Sequence, residues 1–173
     1  ILPDVTILGK IMGGGLPIGA IAGAIEIMEH MDPTMYERPK FSFHGGTFSA
    51  NPIVMTAGLA TLKELEGGRL QNQLNKIGNK IRRQLTEVFE RKNVDAQVTG
   101  ISSLFDTHFT HEKVKDVEGV FRADRKKLED YHLYLITKGV FFLPTKLGAL
   151  SRAHSEEDLE KLITETENYV REN

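Results

Sequence analysis

The sequence predicts a mixed α/β protein built in two parts, and three observations carry this prediction. Short apolar runs typical of strands alternate with longer segments whose apolar residues repeat every three or four positions, as in amphipathic helices. Hydrophobic residues make up 40% and charged residues 27% of the 173 residues, as in a globular chain of one or two domains. Gly67-Gly68 separates two helical patterns, so we place a boundary there between domains 1–67 and 68–173.

The first part starts with a strand that leads into a glycine-rich loop. Residues 5–8 (VTIL) predict a short buried strand, because four apolar or β-branched residues stand together. Residues 9–19 hold five glycines and a proline, too many helix breakers for a helix, and therefore predict a shaped loop. A second strand is expected over 18–24 and a short helix over 25–30.

Longer helices are predicted on both sides of the boundary. Asn51-Pro52 starts a helix that reaches Leu65, because asparagine caps helix N-termini and proline suits the first helical position. Residues 69–91 show the apolar period of an amphipathic helix with one charged face. The second part continues as a small α+β domain, with strands expected over 96–98, 103–110 and 140–143 and helices over 123–138 and 155–171.

The composition of the chain argues against several classes of binding partner. The 22 basic and 24 acidic residues give a formal charge of −2 and are scattered, so we expect no nucleic-acid or membrane partner. No apolar stretch approaches the roughly 20 residues that a membrane-spanning helix needs. The absence of cysteine excludes disulfides and thiolate metal sites and is compatible with a reducing compartment, so we expect a cytoplasmic location. Because the chain does not begin with Met, we expect a fragment that lacks an amino-terminal part.

Lys10 is the main candidate for a catalytic residue. It follows a predicted strand and precedes three consecutive glycines, which allow a backbone to approach a ligand closely. The phosphate-binding loop of nucleotide enzymes is excluded, because its glycines precede a Gly-Lys-Ser/Thr triplet, whereas here Ile11 takes the hydroxyl position. A desolvated lysine at a strand end meets the requirement for a Schiff-base lysine. A solvated surface lysine remains the alternative at this stage.

Four segments of the chain, residues 3–10 with 13–20, 44–52, 139–144 and 153–158, resemble segments of the class III aminotransferases, which are fold-type I pyridoxal-phosphate (PLP) enzymes. Residues 3–10 (PDVTILGK) with 13–20 (GGGLPIGA) are similar to the segment that carries the cofactor lysine in that family. Residues 44–52 (HGGTFSANP) and the helix after them are similar to its Gly-Thr-Phe-Ser-Xaa-Asn-Pro segment. The segments 139–144 and 153–158 resemble the family's closing strand and last helix. The resemblance therefore covers nearly the whole chain.

The resemblance implies a fold, a cofactor and site residues. The fold would be a remnant of the large PLP domain followed by a small carboxy-terminal α+β domain. Lys10 matches the lysine that holds PLP as a Schiff base and then moves protons. Thr47, preceded by Gly46, matches the threonine that reaches the cofactor phosphate of the neighbouring subunit, which implies a homodimer; the alternative role of Thr47 is to cap a turn.

The implied activity is that of a PLP-dependent aminomutase acting on a small amino/oxo acid. It would convert glutamate 1-semialdehyde to 5-aminolevulinate for tetrapyrrole synthesis. An aminotransferase for ω-amino acids and a noncatalytic fragment remain alternatives, the first because residues 22–24 (AGA) differ from the Gly-Gly-Arg common in aminomutases. His44 and His154 are predicted to have loop or capping roles, and no metal site is expected.

Overall fold

The computed structural model describes residues 1–37 and 39–172, which form two compact units, Ile1–Gly67 and Gly68–Asn173. Within these described ranges no helix combines the length and the apolar character needed to cross a membrane. Strands and helices occur in both units, as the alternating sequence pattern predicts. Each unit has its own sheet.

The first unit opens with an antiparallel pair of strands. Strand β1 (Val5–Gly9) pairs with β2 (Gly19–Gly23) so that Gly9 lies opposite Gly19. The segment between them begins with a single 3-10 turn, Lys10–Gly13, where the sequence predicted no helix of any kind. The prediction that β1 is buried is wrong: Ile7 is 80% exposed, because the described residues supply this sheet with two strands only.

Short helical segments lead from this sheet to a longer helix. After β2 come helix α1 (Ile25–Met28) and single 3-10 turns over Glu29–Met31 and Pro33–Met35. Helix α2 (Pro52–Leu65) begins as predicted, because the Asn51 Oδ1 atom accepts a hydrogen bond of 3.0 Å from the Ile53 N–H.

The break after α2 lies at the predicted glycine pair. Gly67 and Gly68 both adopt a φ of 72°, a left-handed conformation that glycine takes without steric cost. Helix α3 then runs over Arg69–Arg91, which confirms the predicted amphipathic helix.

The second unit packs helices against a small antiparallel sheet of order β3-β4-β5. Helix α4 was not predicted, whereas α5 and α6 lie within two residues of their predicted bounds. The elements are β3 (Gln97–Thr99), β4 (Leu104–His108), α4 (Val117–Arg122), α5 (Arg125–Thr137), β5 (Gly148–Ala149) and α6 (Glu156–Glu172).

The core of the second unit is formed mainly by helices α3, α5 and α6. Ile81, Leu85 and Phe89 on one face of α3 are fully buried, as the apolar period predicts. The Phe89 ring packs edge-on against Tyr131, with ring centres 6.2 Å apart. The Tyr131 and Thr166 hydroxyls, both buried, lie 2.7 Å apart and satisfy each other's hydrogen bonding.

The strand predicted over 140–143 is wrong. The Val140 N–H donates a 2.9 Å hydrogen bond back to the Leu135 carbonyl at the end of α5, which removes it from any ladder. Phe142 instead fills the core, where its ring lies edge-on to Phe105 with centres 5.8 Å apart. The third strand of the sheet is the short β5, which pairs with β4.

Candidate functional site

Lys10 stands directly after β1, at the first position of the 3-10 turn. Its φ is 55°, a left-handed conformation that is uncommon for a residue with a side chain. Such a conformation costs on the order of 1–3 kcal/mol and persists only where the surroundings enforce it, often at functional sites. The residue is exposed, and in the described ranges its side chain makes no hydrogen bond or ion pair.

A cleft of about 820 Å³ lies in the same unit, beside the lysine turn. Leu8 and Met12, each two residues from Lys10, are part of its wall. Its size falls in the range of small-molecule sites, and its lining is largely apolar, as such sites are. The other lining residues are Ile7, Pro17, Ile18, Gly19, Ala20, Ile21, His44, Phe48, Ser49, Ala50, Asn51, Val54, Met55, Gly58, Leu59 and Leu62.

The second sequence motif, residues 44–52, also contributes to the wall of this cleft. The Ser49 N–H donates a 2.9 Å hydrogen bond to the Gly46 carbonyl, which closes a turn around Thr47. Ala50 follows with a φ of 55°, and Asn51 then caps α2. Since residues 48–51 line the cleft, the turn that carries Thr47 is held at its edge.

The structure therefore brings the two motifs to one cleft but does not join the predicted site residues themselves. Lys10, Gly46 and Thr47 are all exposed, and none of the three belongs to the cleft lining. Nor does any hydrogen bond within residues 1–37 and 39–172 connect Lys10 to Thr47. Their chain neighbours, rather than the residues themselves, form the wall.

Sequence reasoning missed the residues that hold the two motifs together. A Cβ atom placed on Gly58, in the middle of α2, would lie 3.1 Å from the Met12 carbonyl oxygen in the lysine turn. One placed on Gly14 would lie 2.5 Å from the Thr61 Oγ1 atom. The available signal was Gly58 itself, because a glycine inside a helix usually has a packing reason.

Two histidines outside this cleft, His154 and His108, have structural roles. The Ser151 N–H donates a 2.9 Å hydrogen bond to His154 Nδ1, which confirms the predicted loop role of that histidine. His108 is buried in β4 with its Nε2 atom 2.9 Å from the Thr99 hydroxyl. The described residues contain no cluster of three or more metal-ligating side chains.

Burial shifts the pKa values of two side chains in the second unit, His132 and Asp106, that could take part in proton transfer. Burial lowers the pKa of His132 to about 4, and its Nδ1 atom accepts a 3.1 Å hydrogen bond from the Thr145 N–H. Burial raises the pKa of Asp106, against the attraction of the nearby His108. Sequence reasoning did not single out His132, since a lone histidine in a helical pattern gives no signal of its burial.

Comparison with known proteins defines the class of protein. Residues 1–152 match the family model described as aminotransferase class-III, and that match covers most of the chain. The chain belongs to the class-III aminotransferase family, which consists of PLP enzymes.

Individual members of this family show how similar the chain is to proteins of known sequence or structure. The chain is 38% identical over 163 residues to the glutamate-1-semialdehyde 2,1-aminomutase of Syntrophomonas wolfei, covering 93% of this chain and 37% of the relative. An omega-transaminase structure from Sphaerobacter thermophilus aligns with a TM-score of 0.85 and 32% identity, over 99% of this chain and 39% of that one. A glutamate-1-semialdehyde aminomutase structure from Pseudomonas aeruginosa PAO1 in complex with PMP shares the fold, with a TM-score of 0.83 at 20% identity, over 99% and 40%.

The described residues fit part of a PLP site. A PLP-binding protein needs an amine for the aldehyde and hydrogen-bond donors for the phosphate, and this chain offers Lys10 and the exposed turn at Gly46-Thr47. Neither Asp nor Glu is among the residues that line the cleft, so a carboxylate for the ring nitrogen is not part of its wall. The chain spans about two fifths of the length of the relatives it matches.

Proposed function

We propose that this chain is the lysine-bearing part of a PLP-dependent aminomutase that converts glutamate 1-semialdehyde to 5-aminolevulinate in tetrapyrrole synthesis. The observation that carries the proposal is the position of Lys10, in a strained backbone turn at the end of β1 and beside a cleft of ligand size. The likeness to the Syntrophomonas aminomutase supports the substrate.

In this proposal Lys10 has two tasks. Its amine would hold the cofactor at the aldehyde carbon, and the same amine would carry a proton between the atoms that exchange it. The cofactor supplies the electron sink when bound, and the chain supplies orientation and charge. The left-handed backbone of Lys10 supports this role, because an exposed lysine with no special task would be expected in the commoner α-helical or extended conformation.

Gly46 and Thr47 have a separate task in the proposal. Their exposed turn would donate hydrogen bonds from the Gly46 N–H and the Thr47 hydroxyl to the phosphate of a neighbouring subunit's cofactor. The complete enzyme would then be a homodimer. The proposal retains a cytoplasmic location, since a chain without cysteine is compatible with a reducing compartment.

The two structural units receive separate assignments. We assign residues 1–67 to the PLP-binding large domain, because both motifs and the cleft lie there. Residues 68–173 would be the small carboxy-terminal α+β domain, which has its own buried core. Expression of each unit alone tests this division.

A class-III aminotransferase for ω-amino acids is the second candidate, favoured by the likeness to the Sphaerobacter omega-transaminase. The two reactions differ in what they consume. An aminomutase moves nitrogen within one substrate and needs no acceptor, whereas an aminotransferase turns over only when a keto acid is present. The assay is therefore the formation of 5-aminolevulinate from glutamate 1-semialdehyde with and without an added keto acid.

The same assay tests Lys10. We expect Lys10→Ala to lower turnover by at least about 10²–10⁴-fold, the usual contribution of a proton-transferring side chain. Lys63→Ala is the matched control, because Lys63 is an exposed lysine of α2 and does not line the cleft. Equal turnover in both variants would rule out Lys10 as the catalytic lysine. A chain that yields no product under either condition would support the third alternative, a noncatalytic fragment.

A further inference from the structure

Helix α2 contains a glycine at a position where glycine is unfavourable for the helix itself. Gly58 is one of two buried residues in the described part of the first unit, residues 1–37 and 39–67. Glycine in a helix interior is less favourable than alanine, so its presence there needs a packing reason. That reason is the lysine turn, because a Cβ on Gly58 would lie 3.1 Å from the Met12 carbonyl oxygen, tighter than ordinary contact.

Gly14, in the loop after the lysine turn, also packs closely against α2. A Cβ there would lie 2.5 Å from Thr61 Oγ1 and 2.9 Å from the Ala57 carbonyl oxygen, both on α2. Gly14 also has a φ of 59°, and its N–H donates a 3.2 Å hydrogen bond to the Ile11 carbonyl within the turn. The lysine turn therefore lies close against α2, where its glycine backbone faces the Ala57 carbonyl and the Thr61 hydroxyl.

We propose that Gly58 is a positioning residue for Lys10. It acts through the Met12 carbonyl, because Met12 and Lys10 belong to the same 3-10 turn. The inference rests on the proposed function, in which Lys10 binds the cofactor aldehyde. Because Lys10 has no side-chain hydrogen bond in the described part of the chain, the backbone of its turn sets where the amine can reach. The close packing of this turn against α2 in turn fixes the position of the turn's backbone.

The effect of a change at Gly58 can be separated from general damage. Gly58→Ala improves the helix propensity of α2 but forces the Met12 carbonyl to move by a few tenths of an ångström. A misplacement of 1 Å can cost about 10²-fold in rate, so a shift of this size should slow the reaction of Lys10 by about three- to tenfold. The substitution thus raises the helix propensity of α2 and at the same time slows the reaction of Lys10, an effect that a merely structural role of Gly58 would not produce.

The experiment follows the reaction of PLP with Lys10 in the full chain. Rates of adduct formation are measured against PLP concentration, trapped with borohydride and read by peptide mass spectrometry. The half-saturating concentration reports reversible binding, and the limiting rate reports the approach of the amine. Thr56→Ala is the control, because it raises the helix propensity of the same helix at an exposed position.

Hydrogen exchange of the Gly14 and Leu16 amides is measured in the same proteins without PLP. These amides donate to the Ile11 and Gly13 carbonyls, at 3.2 Å and 3.1 Å, and so report on the lysine turn. We expect Gly58→Ala to speed their exchange, while the amides of α3 are unchanged.

The outcomes separate this inference from the proposed function. A lower limiting rate at Lys10 with an unchanged half-saturating concentration, together with faster exchange in the turn, supports it. Equal limiting rates in Gly58→Ala and Thr56→Ala overturn it and leave the role of Lys10 intact. If the unaltered chain is not labelled at Lys10, the proposed function fails, and the exchange rates decide the inference: unchanged exchange overturns it.

Discussion

The two units of the chain use their apolar residues in opposite ways. The second unit buries large side chains such as Phe89, Leu85 and Tyr131 completely. In the described part of the first unit the only buried residues are Gly13 and Gly58, while its large apolar residues are exposed or half-buried. The difference indicates that stability resides in the second unit, whereas the first unit presents surfaces on which a ligand or further protein can pack.

Removing a core ring should give the largest effect and test this division directly. Phe89→Ala is expected to lower the free energy of unfolding by about 3–5 kcal/mol, because the fully buried ring leaves a cavity. Leu62→Ala is the counterpart in the first unit, where the side chain is 47% exposed, and should cost less than about 1 kcal/mol. Urea unfolding followed by circular dichroism measures both, and similar losses would contradict the division.

Acid should weaken the second unit through His132. Since burial lowers its pKa from 6.5 to about 4, the unfolded chain binds a proton in that interval that the folded chain excludes. Its contribution to stability is therefore complete above pH 6.5 and is lost as the pH falls toward 4. We expect a loss on the order of 2 kcal/mol, below the full value of the shift because water screens part of it.

His132→Asn isolates this effect. Asparagine keeps an acceptor for the Thr145 N–H and cannot titrate, so the variant should lose the pH dependence even if its overall stability is lower. Asp106 acts in the opposite sense, because burial raises its pKa and the folded state then binds its proton more readily. Asp106 is present in both the unaltered chain and His132→Asn, so its contribution to the pH dependence cancels when the two are compared. Identical slopes of stability between pH 4 and 6.5 would refute the assignment to His132.

Removal of a helix cap should have the smallest effect on stability, and one cap from each unit serves for comparison. The Ser155 hydroxyl accepts from the Asp158 N–H at 3.2 Å and caps α6, as Asn51 caps α2. Ser155→Ala should lower the global stability by about 1 kcal/mol. Asn51→Ala should fray α2 and change the unfolding of the second unit by less than about 0.5 kcal/mol. Hydrogen exchange resolved by helix distinguishes the two results; a loss of protection in α3 from Asn51→Ala would count against independent units.

Helices were predictable from the sequence because their signals are local. The Asn51-Pro52 start, the reciprocal Ser155–Asp158 cap and the apolar period of α3 all lie within one or two helical turns. Strands were less predictable, since pairing depends on distant residues. The apolar run 140–143 has the composition of a strand. The Val140 N–H, however, bonds to the end of α5, and Phe142 packs in the core, so the two-residue β5 pairs with β4 instead.

The candidate site was predictable only in part. Lys10 and the Gly46-Thr47 turn stood out because glycines cluster around them, and the structure brings their neighbours to one cleft. The packing of Gly58 on Met12 joins residues 46 positions apart, and no local pattern encodes such a contact. The exposure of β1 could not be predicted from the sequence either, because a run of apolar and β-branched residues predicts burial without indicating what covers it.

The most direct test of the central claim is to identify the lysine that reacts with PLP. The chain is incubated with PLP, reduced with borohydride and digested, and the pyridoxyl group is located by peptide mass spectrometry, with Lys10→Ala as the control. We expect a label that is confined to Lys10 and is lost in the Lys10→Ala variant. A label spread over other lysines, or no label on Lys10, would contradict it.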